Sequence, residues 1–183
     1  MKYSLTIIIL SFLLIACQGE VLPKPNALLR LDYPDSEHTT FQADHFTIDR
    51  NTIATIKSEK GNSFILDYPL MQGSVFITYK NINGNLDKLL TDAQRLSYEH
   101  AVKADNILEQ PFVNEEDRVY GMYYEVKGNA ASQAQFYVTD STEHFVTGSL
   151  YFHARPNYDS ILPAAAYLQN DIRRIMETLK WNN

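Results

Sequence analysis

The chain has one cysteine, Cys17, in 183 residues. No intrachain disulfide can form, and the core alone has to hold the fold. A basic excess is also missing. The formal net charge is −6, and no stripe of Lys and Arg is available to neutralise phosphates, which argues against a nucleic-acid partner. Beyond residue 16 no apolar run is long enough to span a bilayer. Internal repeats and low-complexity segments are absent. So are the Gly-x-Ser-x-Gly elbow, the P-loop, His-Glu-x-x-His, the dinucleotide fingerprint and the Asp-x-Asp-x-Asp-Gly calcium loop. None of the recognisable catalytic or cofactor classes has its signature here.

What is present begins with an address. Met1-Lys2 carries an early positive charge, and an apolar run follows from Leu5 to Ala16. The run is too short for a mature membrane span and reads as a secretory signal peptide over residues 1–16. It ends Leu14-Ile15-Ala16-Cys17, a lipobox, and acylation of Cys17 accounts for the lone cysteine of a secreted chain. The alternative is an ordinary signal peptide with an incidental Cys. Residues 17–26, with Pro23 and Pro25, read as anchor and tether, and residues 27–183 as one domain. Gln18 follows the Cys where a retention Asp would stand. Glu20 alone is not a surface-export acidic cluster. The domain is therefore expected to face the periplasm on a lipid anchor.

Alternation of apolar side chains predicts strands over Ala27–Tyr33, weakly over His45–Lys57, and clearly over Ser63–Tyr68 and Ser74–Tyr79. Asp35–Asp44 reads as a polar irregular stretch. Asn85 is a predicted N-cap for a helix whose Leu86, Leu89, Leu90, Ala93, Leu96, Ala101 and Ala104 share one side. Ile107–Val113 is a strand that Pro111 assigns to an edge or a bend. Val119–Ser160, dense in the chain's twelve Tyr and nine Phe, reads as three antiparallel strands, the first covered on both faces. A last helix follows, with Asp159 or Ser160 as N-cap and Pro163 in its first turn. Ile161, Ala165, Leu168, Ile172, Ile175 and Leu179 form its apolar stripe. Arg173, Arg174 and Lys180 place positive charge toward its C-terminal end, and Trp181 clamps that end. Short turns require antiparallel pairing. The fold class is α+β, an antiparallel sheet with helices on its faces.

The candidate chemistry is thin, and each feature has a plainer reading. His38 and His45 could share a metal, or sit in a solvated loop. His100 could be a base, or a boundary residue bonded to backbone. Asn114–Asp117 could bind a cation, or form a hairpin tip. His144 with Glu143 and Asp140 could be a metal corner, or a hairpin end. Ser132 lies among small residues but lacks the strand–turn–helix setting of an exposed nucleophile. No residue is assigned a catalytic or metal role, and no cofactor is implied. Loops on rigid scaffolds carry binding. The candidate contact residues are Gly128, Asn129, Ser132 and Gln133 in one loop, and Arg155, Asn157 and Tyr158 in the other.

Three stretches carry a family resemblance: PKPNALLRLDYP, ITYKNINGNLDKLLTDAQRLSYEHAVKAD, and above all ILEQPFV with VYGMYYEVKGNAASQAQFYVTDSTEHFVTGSLYFHARPNYDSILPAAAYLQNDIRRIMETLKW. The chain resembles GldD, a gliding-motility lipoprotein of Bacteroidetes, over most of its length and least from His38 to Gly61. The resemblance implies a membrane-anchored component needed for gliding, linked to the type IX secretion machinery through envelope proteins, with no enzymatic activity or cofactor. The strand–helix order also looks like the PsbP/Mog1-type α/β/α sandwich.

Three functions remain open on the residues alone. The first is a non-enzymatic subunit or assembly factor acting by protein contacts. The second is a periplasmic hydrolase or envelope-modifying enzyme, which predicts a concave pocket of clustered His and carboxylates drawn from His100, His144 or His153 and loses its support if those side chains lie far apart. The third is a small-ligand carrier, which requires an apolar cavity between sheet and helix.

Overall fold

A computed structural model describes residues 33–58, 63–100, 104–153 and 158–182. The predicted strand over Ala27–Tyr33 lies outside them except for Tyr33, which is not in a strand. Ten strands and two helices are described. They are β1 His38–Gln42, β2 Phe46–Asn51, β3 Thr55–Ser58, β4 Ser63–Tyr68, β5 Gly73–Asn81, α1 Leu86–His100, β6 Ala104–Asn114, β7 Val119–Gly128, β8 Ala134–Thr139, β9 His144–Phe152, α2 Tyr158–Thr178 and β10 Lys180–Trp181. A 3-10 turn, Pro69–Met71, joins β4 to β5.

Seven strands form one antiparallel sheet in the order β3-β4-β5-β9-β8-β7-β6, and β1-β2-β10 form a second. The joint that makes one sheet of the chain's two halves is β5 with β9, in register from Gly73↔Phe152 to Asn81↔His144. Period-two alternation then sorts the side chains. Leu66, Val75, Ile77, Phe136, Val138, Val146 and Leu150 are buried on one face, together with Leu168, Ile172 and Ile175 of α2 and Phe46 and Ile48 of β2. Each such aliphatic side chain contributes about 2 kcal/mol on burial. α1 lies against the other face, where Ser97 Oγ donates to Gln135 Oε1 at 3.3 Å and Tyr98 donates its hydroxyl proton to Glu109. The architecture is α+β with a helix on each face of an antiparallel sheet.

Four local expectations are corrected. His38–Gln42 is a strand and not an irregular loop. Its β-branched Thr39 and Thr40 suit the pleat, it pairs with β2 throughout, and the Phe41 ring stands edge-on to Phe64 at 5.0 Å. α1 is described over Leu86–His100, Ala101 lies outside the described residues, Ala104 already belongs to β6, and Leu96 is 39% exposed, so Leu96 and Ala104 leave the expected apolar stripe. α2 begins at Tyr158, before both expected caps, and Pro163 therefore falls beyond the first turn, where the Asp159 carbonyl loses its helical donor. The basic residues do not serve the end of α2. Arg173 pairs with Glu125, Arg174 with Asp49, and Lys180 with Asp117, and the last turn holds no basic residue.

The weak stretch over His45–Lys57 divides into β2 and β3, which lie in different sheets, and Trp181 belongs to a short strand, β10. β6 is an edge strand containing Pro111. β7 is paired on both sides, with Val119 and Tyr123 buried on one face and Tyr124 and Val126 on the other.

Candidate contact surfaces

One end of the fold brings the first loop singled out in the sequence against Tyr158, the first residue of α2. Gly128 has φ +101°, a conformation glycine alone adopts easily, and a Cβ there would lie 2.7 Å from the Asp105 backbone nitrogen. The chain then folds tightly, with Ala130 N–H donating to the Gly128 carbonyl at 2.8 Å. Asn129 is exposed, and its Oδ1 accepts the Tyr158 N–H at 2.9 Å. The first amide of α2 is thus capped by a residue of another loop, which is why the helix starts before Asp159 and Ser160.

Ser132 and Gln133 turn inward, 0% and 1% exposed. Ser132 Oγ donates to the Ala134 carbonyl at 3.1 Å. Gln133 Nε2 donates to the carbonyls of Gly128 and Ala130 at 3.2 and 3.1 Å. The Gln133 carbonyl accepts from Gln169 Nε2 of α2 at 3.1 Å. Both side chains brace the loop from beneath, and Gly128 is buried too. The outward part of the patch is Asn129 and half-buried Tyr158. Burial, then the carboxylates of Glu125, Asp105 and Asp159, hold the Tyr158 phenol above its usual range. Arg155 and Asn157 lie outside the described residues.

The opposite end carries an aromatic column that spacing did not reveal. His45 stacks on Tyr79 at 4.1 Å and 13°, Tyr79 lies 5.8 Å from His144, and His144 stacks on Trp181 at 5.1 Å and 15°. The four rings come from the β1–β2 turn, β5, β9 and β10, so no local window contains them. The Tyr79 hydroxyl meets His144 Nδ1 at 2.8 Å and Asn81 Oδ1 at 2.5 Å. Cavities of about 170 and 380 Å3 flank the column. Phe41, Phe64 and Tyr79 line the first, and Arg118, Glu143 and Lys180 the second.

The candidate chemical sites dissolve into structural roles. His38 turns to Asp171, 3.4 Å away, while His45 stacks on Tyr79, so the two share nothing. Asp140 closes its hairpin by accepting N–H bonds from Thr142, Glu143 and His144 at 3.0, 2.9 and 2.8 Å. Burial alone would raise its carboxyl, but the Thr142 hydroxyl and those amides hold it at about 2. The acidic turn is closed by Asn114 Nδ2 on Asp117 Oδ2 at 3.1 Å. Among the described residues no group of three or more His, Cys, Asp and Glu could hold a metal ion.

His144 and His153 lie at opposite ends of β9, about 30 Å apart along an extended strand. The side chain of His100 is outside the described set. Buried Ser74 does touch His153 Nε2, at 2.9 Å. Its proton, however, goes to Asp67 Oδ1 at 2.7 Å. A carboxylate only accepts, so His153 must donate to Ser74 and cannot act as its base. The hydrolase reading loses its geometry here. The carrier reading loses its space, because Tyr68, Leu168, Ile172 and Met176 are buried in one core cluster between α2 and the sheet.

Residues 18–181 match the model of the gliding motility lipoprotein GldD family. The chain belongs to that family. No curated protein matches it. The match spans both sheets and both described helices, which accords with the long stretches that carried the resemblance. Membership makes the chain a gliding-motility lipoprotein of the cell envelope, with a non-enzymatic role and partners in the envelope. No helix among the described residues is long and apolar enough to cross a membrane.

Proposed function

We propose that this chain is a non-enzymatic component or assembly factor of the gliding and type IX secretion machinery, working by protein contacts from a lipid anchor. Residues 1–16 are removed, Cys17 carries the lipid, residues 17–26 are the tether, and the domain of residues 27–183 faces the periplasm. The order of strands and helices supports a PsbP/Mog1-type sandwich. The observation that carries the contact reading is the bond from the Tyr158 N–H to Asn129 Oδ1. It joins the Asn129 loop to the first residue of α2, 29 residues away in sequence, in one patch on a scaffold of sheet and helix, where loops are suited to binding. Photo-crosslinkers at Asn129 and Tyr158 in gliding cells should capture the same envelope protein. Capture from neither site, in cells that still glide, would refute this surface.

A further inference from the structure

β6 is the last strand of the seven-stranded sheet, and among the described residues its backbone pairs only with β7. An edge of eleven residues presents a row of unpaired donors and acceptors, a template for another strand. Its Leu108 and Val113 are 40% and 64% exposed.

Between this edge and the flank of α2 lies a cavity of about 130 Å3, lined by Gln110, Pro111, Phe112, Tyr123, Arg173 and Met176. Tyr123 is only 2% exposed, and its hydroxyl has no hydrogen-bond partner among the described residues. A buried hydroxyl left unpaired destabilises the free chain. Arg173 does not relieve it. The guanidinium lies over the Tyr123 ring, 4.6 Å from its centroid, and is committed to Glu125 at 2.8 Å. Burial keeps the phenol protonated, so it remains a donor in search of an acceptor.

Charge indicates what kind of chain would fit. Asp105, Glu109, Glu115 and Glu116 stand along β6 and its turn, and Glu177 stands beside the cavity. None of the five has a cation at ion-pair distance among the described residues. Pro111 withholds one N–H from β6, and the cavity opens beside it, where a side-chain bond can replace a backbone one.

We propose that the free edge of β6 receives an extended, lysine- or arginine-bearing segment of a partner polypeptide, with one amide or hydroxyl side chain in the cavity bonded to Tyr123. This is strand addition, in which the backbone supplies affinity and the pocket supplies selection. It is a second surface, independent of the Asn129–Tyr158 patch.

The test uses the full lipidated chain in detergent and a synthetic peptide, Thr-Lys-Val-Asn-Val-Lys-Thr, with a version carrying Glu at both Lys positions. The Lys peptide should slow amide exchange at Ile107, Glu109 and Val113, and should bind about tenfold more tightly than the Glu version at low salt. Tyr123→Phe should leave the free protein as stable or more so, since it removes an unpaired hydroxyl, yet weaken the Lys peptide about fivefold, the worth of one hydrogen bond. Four results overturn the proposal: no change in exchange at millimolar peptide; β6 amides already protected in the free chain; a dimer in sedimentation that Val113→Lys dissociates; or a destabilising Tyr123→Phe.

Discussion

The side-chain amide of Asn51 donates to both oxygens of Asp171, at 3.2 and 2.9 Å. It also reaches the Tyr167 hydroxyl at 2.9 Å. This one contact ties β2, and with it the three-stranded sheet, to the middle of α2. Asp171 is 3% exposed, so Asn51→Leu would leave a buried carboxylate without its main donor. Loss of one partner from such a pair costs about 3 kcal/mol. Urea unfolding near neutral pH should show that loss; a change within error would mean that His38 and Tyr68 suffice for the carboxylate.

Asp171 also imposes a pH dependence opposite to that of the other buried acids. Burial raises its pKa above 3.8, against the bonds from Asn51 and the charge of His38. Its contribution to stability is therefore full below 3.8 and falls as pH rises through the raised folded value. Asp67, lowered by Lys57 and Ser74, contributes above 3.8 and loses that as pH falls through its folded value. Asp171→Asn keeps an acceptor for Asn51 and removes the titration. Its stability relative to the parent chain should increase from about pH 4 to about pH 7. A difference that stays flat over that range would show that the carboxyl is not raised.

The Asp140 hairpin should be the acid-sensitive part of the fold. Its carboxylate is satisfied by three backbone amides and by the Thr142 hydroxyl at 2.6 Å. It holds Ser141 at φ +69°, in the left-handed region. The stability it supplies is present above 3.8 and is lost as pH falls toward about 2. Asp140→Ala should cost about 2 kcal/mol at neutral pH by removing the carboxylate's charge-assisted bonds to three turn amides and should speed amide exchange at Thr142–His144. Unchanged exchange would assign the turn's shape to backbone bonds alone.

Gly148 is set by close approach. A Cβ built there would lie 2.0 Å from Cε1 of Phe136 on the adjacent strand. Gly148→Ala should lower stability by about 2 kcal/mol through overpacking. Adding Phe136→Leu should recover part of it, a coupling that a double-mutant cycle measures. Strict additivity would place the strain in the backbone and not in the ring.

Cys17→Ala should leave the domain folded, with an unchanged thermal midpoint, but release it from the membrane fraction and abolish gliding. A variant that stays membrane-bound and motile would refute the lipid anchor at that residue.

Most elements were readable because their signals are local. Ser63–Tyr68, Ser74–Tyr79, the meander from Val119 and the stripe from Ala165 to Leu179 each repeat at the period of their own backbone. His38–Gln42 was not readable. Phe41 is its single apolar side chain, and a strand with one apolar residue is defined by its partner β2. The Gly128–Gln133 loop was identifiable as a loop, but Ser132 and Gln133 were not identifiable as buried. A polar side chain goes inside wherever backbone carbonyls wait for it, and those of Gly128, Ala130 and Ala134 are placed by the turn itself.

The amino-acid order by itself indicated the α+β class, an edge or a bend at the Pro111 strand, and the family. Each depends on residue type or on spacing within one element. Tertiary structure alone decided the pairing of β5 with β9, the closing of Asn129 on Tyr158, the column from His45 to Trp181, and the burial of Tyr123 beneath Arg173 next to β6. These depend on groups far apart in the chain, whose meeting is set by which apolar faces must share one core.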